Sequence, residues 1–338
     1  MVAAAEEGAA GKTSLLLKKT VKYTPMERKY IILLYYKYLP LENPEQIRDE
    51  QKSFAQFHGL KGRVIVSNEG INGTLEGLDF EIKAYVDWME AQDQFKGIHY
   101  KYSQGTGQAL PKLSVKVRSE IVAYRLGEGE VKPWETTGKY LAAEDLHEWI
   151  HSGKKFFIVD MRNGFEQEVG HFAGSTLMNM GHSEDLPKML SQLDHIPKNE
   201  PVVTVCTGGV RCEKASGFLI KHGFTNVYQL HGGIVTYMEK YPNEDFLGAL
   251  YVFDSRLVMH FGDKTSKPRE IVGKCASCGT PSENMVNCSD DFCHRHFIAC
   301  KDCTKGKDTM LCPMGCRDYS KEHPEAFKNQ SSGILGNF

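Results

Sequence analysis

The chain has 338 residues, enough for two or three domains, and its 41% hydrophobic and 25% charged residues are ordinary for globular proteins. The formal net charge of −2 argues against a histone-like nucleic-acid binder but allows a local basic face. No hydrophobic run approaches the roughly 18–20 residues that span a bilayer, and the first residues lack a secretory signal. The sequence therefore predicts a cytoplasmic protein without a membrane segment, beginning with a flexible arm over residues 1–27.

Residues 28–126 predict a ferredoxin-like α+β domain. Hydrophobic and β-branched runs indicate strands, and apolar residues at helical spacing indicate the helices between them. The order β-α-β-β-α-β is that of the split βαβ unit, which often serves as a binding platform. The Gly- and Asn-rich turn over 68–73 is either a bulged hairpin turn or a loop that faces the site of the next domain. The elements are strand 30–36, helix 43–58, strand 62–66, a third strand entered through 69–77, helix 80–89, and strands 98–102 and 113–117.

A polar, glycine-rich stretch over 127–133 marks a domain boundary, and residues 127–262 then alternate between helix and strand. This alternation predicts a doubly wound α/β domain with a mostly parallel sheet. Ligands of such folds bind beyond the carboxyl ends of the strands, where we expect Asp160 and Cys206. Helices are predicted over 142–151, 186–193 and 212–222, and strands over 156–160, 202–205 and 227–230.

Cys206 stands between a predicted buried strand and a predicted helix, and it opens the sequence Cys-Thr-Gly-Gly-Val-Arg-Cys. In such a turn, successive backbone N–H groups point into one concavity, and the helix N-terminus adds positive potential. Both effects stabilise a thiolate, so we expect a reactive thiol with a lowered pKa at Cys206. The predicted anion-binding loop comprises Thr207, Gly208, Gly209 and Val210, and Arg211 adds a fixed positive charge.

Eight of the ten cysteines lie close together near the C-terminal end, and none precedes Cys206. This clustering indicates metal-binding thiols in a reducing compartment rather than a disulfide framework. Two four-Cys zinc sites fit a Cys-rich, metal-binding module over residues 263–320, followed by a tail over 321–338. Consecutive pairs can share an ion, or the pairs can interleave, and an iron–sulfur cluster is the rival occupant. The pairs are Cys275 and Cys278, Cys288 and Cys293, Cys300 and Cys303, and Cys312 and Cys316, with His294 and His296 as possible replacement ligands.

The middle domain resembles the rhodanese sulfurtransferases. Three matching segments appear in order within about 80 residues: Asp-Met-Arg from Asp160, Cys-Thr-Gly-Gly-Val-Arg from Cys206, and Leu-His-Gly-Gly-Ile from Leu230. The resemblance implies that Cys206 is the family's persulfide-forming cysteine and that residues 207–212 cradle an anion. A thiosulfate or persulfide sulfurtransferase is therefore one candidate function.

Over roughly residues 28–260 the chain is similar to the bacterial rhodanese-related tRNA uridine hydroxylases. The similarity includes Glu-Gly-Ile-Asn-Gly from Glu69 and the segment Lys-Val-Arg-x-Glu-Ile-Val from Lys116. It implies tRNA as partner, molecular oxygen as co-substrate, and conversion of the wobble uridine 34 to 5-hydroxyuridine. The eight-Cys spacing of the C-terminal module departs from the simpler Cys pairs associated with that family. A non-enzymatic adaptor is a third hypothesis, disfavoured by the intact Cys206 loop.

Further roles follow from these resemblances. Cys212 is either a thiol that resolves oxidised or persulfidated Cys206 as a disulfide, or a buried small residue. Asp160 and Arg162 either orient the loop or form a structural pair, and Glu166 is open in the same way. No motif for an organic cofactor is present, and the sequence does not predict an oligomeric state. Candidate RNA contacts are Lys112, Lys116, Arg118, Lys301, Lys305 and Lys307, with Tyr100, Tyr102 or Tyr124 as stacking partners.

Overall fold

The computed structural model describes residues 29–127, 131–263, 265–290, 293–307, 309–313 and 315–316. The arm predicted over 1–27 and the tail predicted over 321–338 lie outside these residues. Within the described ranges the chain forms two α/β units and a Cys-rich segment, and none of their helices has the length and apolar content to cross a membrane.

The N-terminal unit has the predicted ferredoxin-like topology. Its five-stranded sheet has the order β4-β1-β3-β2-β5, in which the first four strands are antiparallel neighbours and β5 adds in parallel to β2. Both helices pack on one face, around a core that includes Leu33, Tyr35 and Tyr85. The elements are β1 (Tyr30–Tyr38), α1 (Pro44–Phe57), β2 (Lys61–Ser67), β3 (Gly70–Leu78), α2 (Asp79–Glu90), β4 (Lys101–Gln104) and β5 (Leu113–Val117).

The other face of this sheet is turned toward the middle domain. Successive side chains of a strand point to opposite faces, so Ile32, Leu34 and Tyr36 share the face that does not carry the helices. All three line a cavity that also borders the rhodanese-like loop after Cys206. The N-terminal unit therefore presents a sheet surface to the predicted site.

The middle unit is the predicted doubly wound domain, with the parallel strand order β6-β11-β10-β7-β9. One face packs on α5 and the 3₁₀ helix around Val159 and Val202, and the other packs on α3 and α6 around Ile158 and Val203. The elements are β6 (Lys139–Leu141), α3 (Ala143–His151), β7 (Phe157–Asp160), α4 (Gly164–Gln167), β8 (Gly170–Phe172), β9 (Thr176–Leu177), a 3₁₀ helix (Ser183–Leu193), β10 (Val202–Val205), α5 (Val210–Lys221), β11 (Val227–Leu230), α6 (Gly233–Lys240), β12 (Phe246–Gly248), β13 (Leu250–Tyr251) and β14 (Val258–Met259).

Several predicted elements differ in detail. The helix predicted over 186–193 is a 3₁₀ helix that contains Pro187, whose missing N–H and ring disfavour an α-helix interior. Helix α5 begins at Val210, two residues before the predicted start, because Gly209 has a positive φ of 98° and ends the preceding turn. The strand predicted over 98–102 is β4, which begins at Lys101.

The Cys-rich segment contains β15 (Met285–Asn287), β16 (His296–Ile298) and α7 (Lys301–Thr304). Met285 and Ile298 pack with Val169, Ala249 and Tyr251 of the middle unit. The connecting stretch before it also reaches the N-terminal unit, because the backbone N–H of Ser255 donates to the carbonyl of Ala109 at 2.9 Å. The segment between the middle unit and the cysteines therefore contacts the N-terminal unit.

Candidate active site and thiolate clusters

Cys206 lies directly after β10, at the carboxyl end of a central parallel strand. Its side chain is fully buried, and the backbone N–H of Gly209 donates to its Sγ atom at 3.2 Å. The start of α6 fixes the loop from behind, because Ile234 N–H donates to the Cys206 carbonyl at 2.9 Å and Val235 N–H donates to that of Thr207 at 3.1 Å. The loop is therefore a rigid cradle around the sulfur atom.

Opposing effects set the pKa of the Cys206 thiol. Burial raises it, but a hydrogen bond with Cys212, the positive charge of Arg211 and backbone N–H groups of both residues lower it, to about 6. The pKa of Cys212 is shifted upward by burial and by its hydrogen bond with Cys206. The two sulfur atoms are thus neighbours, and at neutral pH the arrangement favours a thiolate at Cys206 beside a thiol at Cys212.

Both glycines of the loop lie in close contact with side chains of the N-terminal sheet. A Cβ atom on Gly208 would lie 2.7 Å from Leu34 Cδ2, and one on Gly209 would lie 2.8 Å from the Tyr36 hydroxyl. Distances this short force a shift of the neighbour. The sequence feature that predicted an anion cradle is therefore also the contact surface between the two domains.

Arg211 is held by Glu166 in a buried bidentate ion pair, with N–O distances of 2.5 and 2.8 Å. Burial lowers the pKa of Arg211, and Glu166 raises it by more, so the guanidinium stays charged. Thr207 completes this group, since its hydroxyl lies within 3.3 Å of the Arg211 Nη2 atom. Arg211 therefore braces the cradle rather than facing the ligand as a free cation.

Asp160 and Arg162 form a second buried ion pair, with their closest N–O distance at 2.6 Å. Arg162 also donates to the carbonyl oxygens of Gly170 at 2.7 Å and of Glu166 at 3.3 Å. The pair thus fixes the backbone of α4, from which Glu166 reaches Arg211. The pair contacts the end of β7 and the backbone around α4, and it acts on the cradle through Glu166.

Three segments that carried the sequence resemblance meet at Lys214 on α5. Its ammonium contacts Glu69 of the β2–β3 turn at 2.6 Å and Glu120 at 2.7 Å, and it is only 4% exposed. Glu69 also accepts a hydrogen bond from the backbone N–H of Ile121 at 2.8 Å. The turn over 68–73 is therefore part of the domain interface, next to the helix that follows Cys206.

A cavity of about 310 Å³ lies between the sheet face and the cradle. Its walls include Leu34 and Tyr36 from the sheet and Thr207 and Gly208 from the cradle. Residues 252–254 of the returning chain, including Phe253, close a further side. The volume is at the lower end of the range for small-molecule sites, about 300–1,000 Å³. Cys206 lies beneath the cavity floor that its own loop forms.

The cavity contains cations that the sequence analysis did not single out. Arg63 on β2 and Lys101 on β4 both line it, as does Arg256, whose guanidinium is bound by Asp254 at 2.6 Å. The alternation of β2, in which Arg63 and Ile65 point away from the helices, was the available signal for Arg63. Lys101 had no comparable signal, because its position depends on where β4 begins.

The predicted RNA contacts are spread over the surface. Lys116 pairs in register with Ile65, so it shares the cavity face of the sheet. Tyr102 is half exposed and lines the cavity, whereas Tyr124 is fully buried and donates to the Arg211 carbonyl at 3.0 Å. Tyr124 is therefore unsuited to stacking on a base, and Tyr100 packs against the N-terminal core. The remaining basic candidates, Lys112, Arg118, Lys301, Lys305 and Lys307, are exposed.

The eight C-terminal cysteines form two groups in the interleaved arrangement. In each group the four Sγ atoms lie within 4.8 Å of one another, and the first and third pairs of the sequence combine, as do the second and fourth. His296 lies apart from both groups and hydrogen-bonds to the Tyr251 hydroxyl. The groups are Cys275, Cys278, Cys300 and Cys303, and Cys288, Cys293, Cys312 and Cys316.

Comparison with known protein families accounts for nearly the whole described chain. Residues 30–121 match the UPF0176 acylphosphatase-like domain, and residues 142–240 match the rhodanese-like domain. Residues 247–317 match the rhodanase C-terminal family, and this range of the chain contains all eight clustered cysteines. The Cys-rich segment is thus a recognised companion of the rhodanese-like domain.

Full-length relatives decide the family. A tRNA uridine(34) hydroxylase of Staphylococcus carnosus (strain TM300) is 38% identical over 304 residues, which cover 89% of this chain and 94% of the relative. The chain belongs to the tRNA uridine(34) hydroxylase family. Members from Cytophaga hutchinsonii and Staphylococcus aureus (strain COL) are 37% and 39% identical, covering 88% and 86% of this chain and 93% and 91% of the relatives.

Among solved structures, a rhodanese-like domain protein from Staphylococcus aureus is 25% identical to this family member. It covers 29% of this chain and 90% of its own, with a TM-score of 0.26. The thiosulfate sulfurtransferase from Pseudomonas aeruginosa is 20% identical, covers 30% of this chain and 19% of its own, and has a TM-score of 0.26.

Proposed function

We propose that this protein hydroxylates carbon 5 of the wobble uridine 34 of tRNA, with molecular oxygen as co-substrate and Cys206 as the essential thiolate. The proposal is carried by nearly full-length relatives named for this activity. The cavity supports it, because the N-terminal sheet roofs the Cys206 loop and gives it a binding surface that sulfur transfer to a small acceptor does not need. We propose further that the enzyme acts on tRNA of the cytoplasm.

The cavity has side chains suited to a nucleotide taken from a single-stranded loop. Unstacked bases of RNA loops are commonly held by aromatic rings, and phosphates by arginine and lysine. Tyr102 and Phe253 are 50% and 39% exposed and supply such rings. Arg63 and Lys116 lie on the same sheet face and supply positive charge. Uridine 34 would enter between these groups, toward the Cys206 cradle.

The oxygen balance gives the two cysteines different roles. One oxygen atom of O₂ replaces the C5–H bond with C5–OH, and the other oxidises the Cys206 thiol to a sulfenic acid, so no further electrons are needed. The Cys212 thiol then condenses with the sulfenic acid, which forms a disulfide and releases water. A cellular thiol reductant returns both cysteines to the thiol state by exchange. The hydrogen bond between the two side chains supports this sequence of steps.

We propose further that the two thiolate groups hold one structural zinc ion each. A tetrahedral ion with Zn–S bonds of about 2.3 Å keeps its sulfur ligands about 3.8 Å apart. Cys278 and Cys300 are separated by 3.6 Å, and Cys293 and Cys312 by 3.7 Å, so the thiolates fit a single ion in each group. An iron–sulfur cluster would spread four cysteines over several irons. When bound, zinc supplies folding energy to a segment with a small core of its own.

The decisive experiment measures the product and the origin of its oxygen. A bacterial host lacking its own enzymes for 5-hydroxyuridine is complemented with the wild-type chain or with Cys206→Ser, and digested tRNA is analysed by mass spectrometry. We expect 5-hydroxyuridine with the wild type alone. Purified protein in ¹⁸O₂ should give labelled nucleoside, and in H₂¹⁸O unlabelled nucleoside. Absence of the nucleoside from the complemented host would contradict the proposal.

The alternative function is a thiosulfate or persulfide sulfurtransferase, favoured by the thiolate cradle at Cys206. There the thiolate attacks the outer sulfur of thiosulfate, releases sulfite and carries the sulfur as a persulfide. Transfer of sulfur from thiosulfate to cyanide, measured as thiocyanate, tests it. Thiocyanate formation by the wild type and not by Cys206→Ser, together with no tRNA product, would favour the alternative.

A further inference from the structure

Lys101 is a buried cation in the wall of the cavity. It pairs in register with Leu34, so both residues lie on the sheet face that covers the Cys206 loop. Its side chain lines the cavity although the residue is only 7% exposed, and its ammonium lies 5.0 Å above the centre of the Tyr36 ring. Cys206, Glu213 and Glu239 are the groups whose negative charge acts on it.

Among the described residues, no carboxylate oxygen lies within 4.0 Å of the Lys101 ammonium. Lys214 provides the contrast, because this equally buried lysine is held by two carboxylates. The carboxylate of Glu213 is already occupied by neutral donors, which are the hydroxyls of Tyr36, Tyr140 and Thr137 and the amide of Gln229. Lys101 thus has no carboxylate in direct contact, which buried ammonium groups normally have, and the negative charges that act on it are the Cys206 thiolate, Glu213 and Glu239.

An anion that enters the cavity can supply a direct ionic partner for the Lys101 ammonium. Burial lowers the pKa of Lys101 to about 8, so the ammonium form still predominates at pH 7. A desolvated ammonium binds an oxyanion more strongly than an exposed one does, because water does not compete for its hydrogens. The Cys206 loop and the N-terminus of α5 line the same cavity.

We propose that Lys101 is the anion-binding residue of the cavity and that its ammonium binds an oxygen atom of the substrate that carries full or partial negative charge, beside Cys206. The inference rests on the proposed function and adds a residue to it. In the tRNA substrate, such an oxygen belongs either to a phosphate next to uridine 34 or to the uracil 4-oxygen, which is conjugated to C5. In the alternative function it belongs to thiosulfate.

Lys101→Met tests the proposal, since it keeps the length of the side chain and removes the charge. With an anticodon stem-loop RNA, kcat/KM should fall about 10- to 100-fold, the usual effect of losing a charge-assisted hydrogen bond. Lys101→Arg should restore part of the loss. Lys52→Met, which removes an exposed lysine from helix α1, should stay within about twofold of the wild type. Unchanged kcat/KM in a folded Lys101→Met protein would overturn the proposal.

Two modified RNAs identify the oxygen. The first RNA carries a neutral methylphosphonate on the 5′ side of uridine 34. If Lys101 binds that phosphate, Lys101→Met should not lower kcat/KM any further with this RNA. The second RNA carries 4-thiouridine at position 34. If Lys101 binds the uracil oxygen, Lys101→Met should not lower kcat/KM any further with this second RNA. In a double-mutant cycle the group that Lys101 contacts gives a non-additive effect, and the other gives an additive one. Additivity with both RNAs would exclude contact with either group.

A binding measurement keeps the test independent of hydroxylation. Sulfate stabilises folded proteins in general because it is excluded from their surfaces, so the readout is a comparison of the two variants. The gain in melting temperature with sodium sulfate over sodium chloride of equal ionic strength should be larger for the wild type than for Lys101→Met. If the wild type is inactive on RNA while its gain exceeds that of Lys101→Met, the proposed function fails and the anion site stands. If the wild type and Lys101→Met respond identically to sulfate, the anion site fails whatever the activity.

Discussion

The guanidinium of Arg211 donates to both carboxylate oxygens of Glu166, at 2.5 and 2.8 Å, in a pair that is almost completely buried. The sequence predicted Arg211 as a positive charge of the anion loop, and its charge does lower the pKa of Cys206. Its hydrogen-bonding edge, however, is turned to Glu166. Positive potential inside the cavity therefore comes chiefly from the loop amides, the N-terminus of α5, Lys101 and Arg63.

Glu166→Gln should destabilise the protein and loosen the cradle. Removing one partner of a buried ion pair leaves an uncompensated charge, so the free energy of unfolding should fall by about 3 kcal/mol. Urea unfolding followed by circular dichroism measures this change. Glu168→Gln is the matched control, because Glu168 ends the same short helix and is exposed. Equal stability of the two variants would contradict a bracing role for Glu166.

Hydroxylation should depend on pH in two steps. The thiolate of Cys206 is the reactive form, so the rate should rise as pH increases through about 6. Above about 8 the ammonium of Lys101 loses its proton, so the rate should fall again. Arg211 with Glu166, Cys212, Tyr36 and Glu213 are the other titratable groups close to these two. Single-turnover rates between pH 5 and 10 measure the profile.

One variant and one chemical modification assign the limbs of that profile. In Lys101→Met the falling limb should disappear, and the rising limb should remain. Carbamidomethylation of Cys206, quantified by peptide mass spectrometry, should follow the rising limb alone. A midpoint near the ordinary cysteine pKa of about 8.5 would show that the cradle does not stabilise the thiolate.

Metal analysis should find about two zinc ions per chain. Cys275→Ser should lower the content to about one, and Cys288→Ser should do the same, because each residue belongs to a different group. The double variant should bind no zinc, and Cys206→Ser should keep both ions. A chelator should unfold the Cys-rich segment, seen as faster proteolysis after residue 263. Retention of two ions in Cys275→Ser would contradict the proposed assignment.

Lys214→Met should weaken the joint between the first two domains. The variant leaves Glu69 and Glu120 as neighbouring carboxylates without their shared cation, so the free energy of unfolding should fall by about 3 kcal/mol. Lys221→Met removes an exposed lysine from the same helix and should change it by less than about 0.5 kcal/mol. Similar unfolding curves for both variants would show that the buried cluster adds no stability.

Sequence periodicity was sufficient for the architecture of the two α/β units and for their longer strands and helices, but it did not predict β6, α4 or α6 of the middle unit. It was sufficient for the Cys206 loop as well, because strand, glycines and helix are contiguous there. It could not reveal the cluster of Glu69, Glu120 and Lys214, which depends on how two domains dock. Nor could it locate Lys101 in the cavity, since that placement requires the register between β4 and β1.

The grouping of the cysteines also depends on tertiary structure and could not be predicted from the sequence. Spacing alone allowed consecutive or interleaved pairs, and the pairing of β15 with β16 is what brings residues 275–278 next to residues 300–303. Tyr124 is a further example. The sequence analysis named it as a candidate stacking partner for RNA, but contact with α5 buries it completely.

Cys212→Ser should separate hydroxylation of the substrate from the return of Cys206 to the thiol state. In this variant Cys206 can still accept an oxygen atom, but no neighbouring thiol converts the sulfenic acid to a disulfide. Without added reductant, one equivalent of 5-hydroxyuridine should form, and dimedone should label Cys206. The wild type should instead accumulate a disulfide between Cys206 and Cys212 and resist dimedone. Equal dimedone labelling of both proteins, or full multiple turnover of Cys212→Ser without thiols, would assign Cys212 to packing alone.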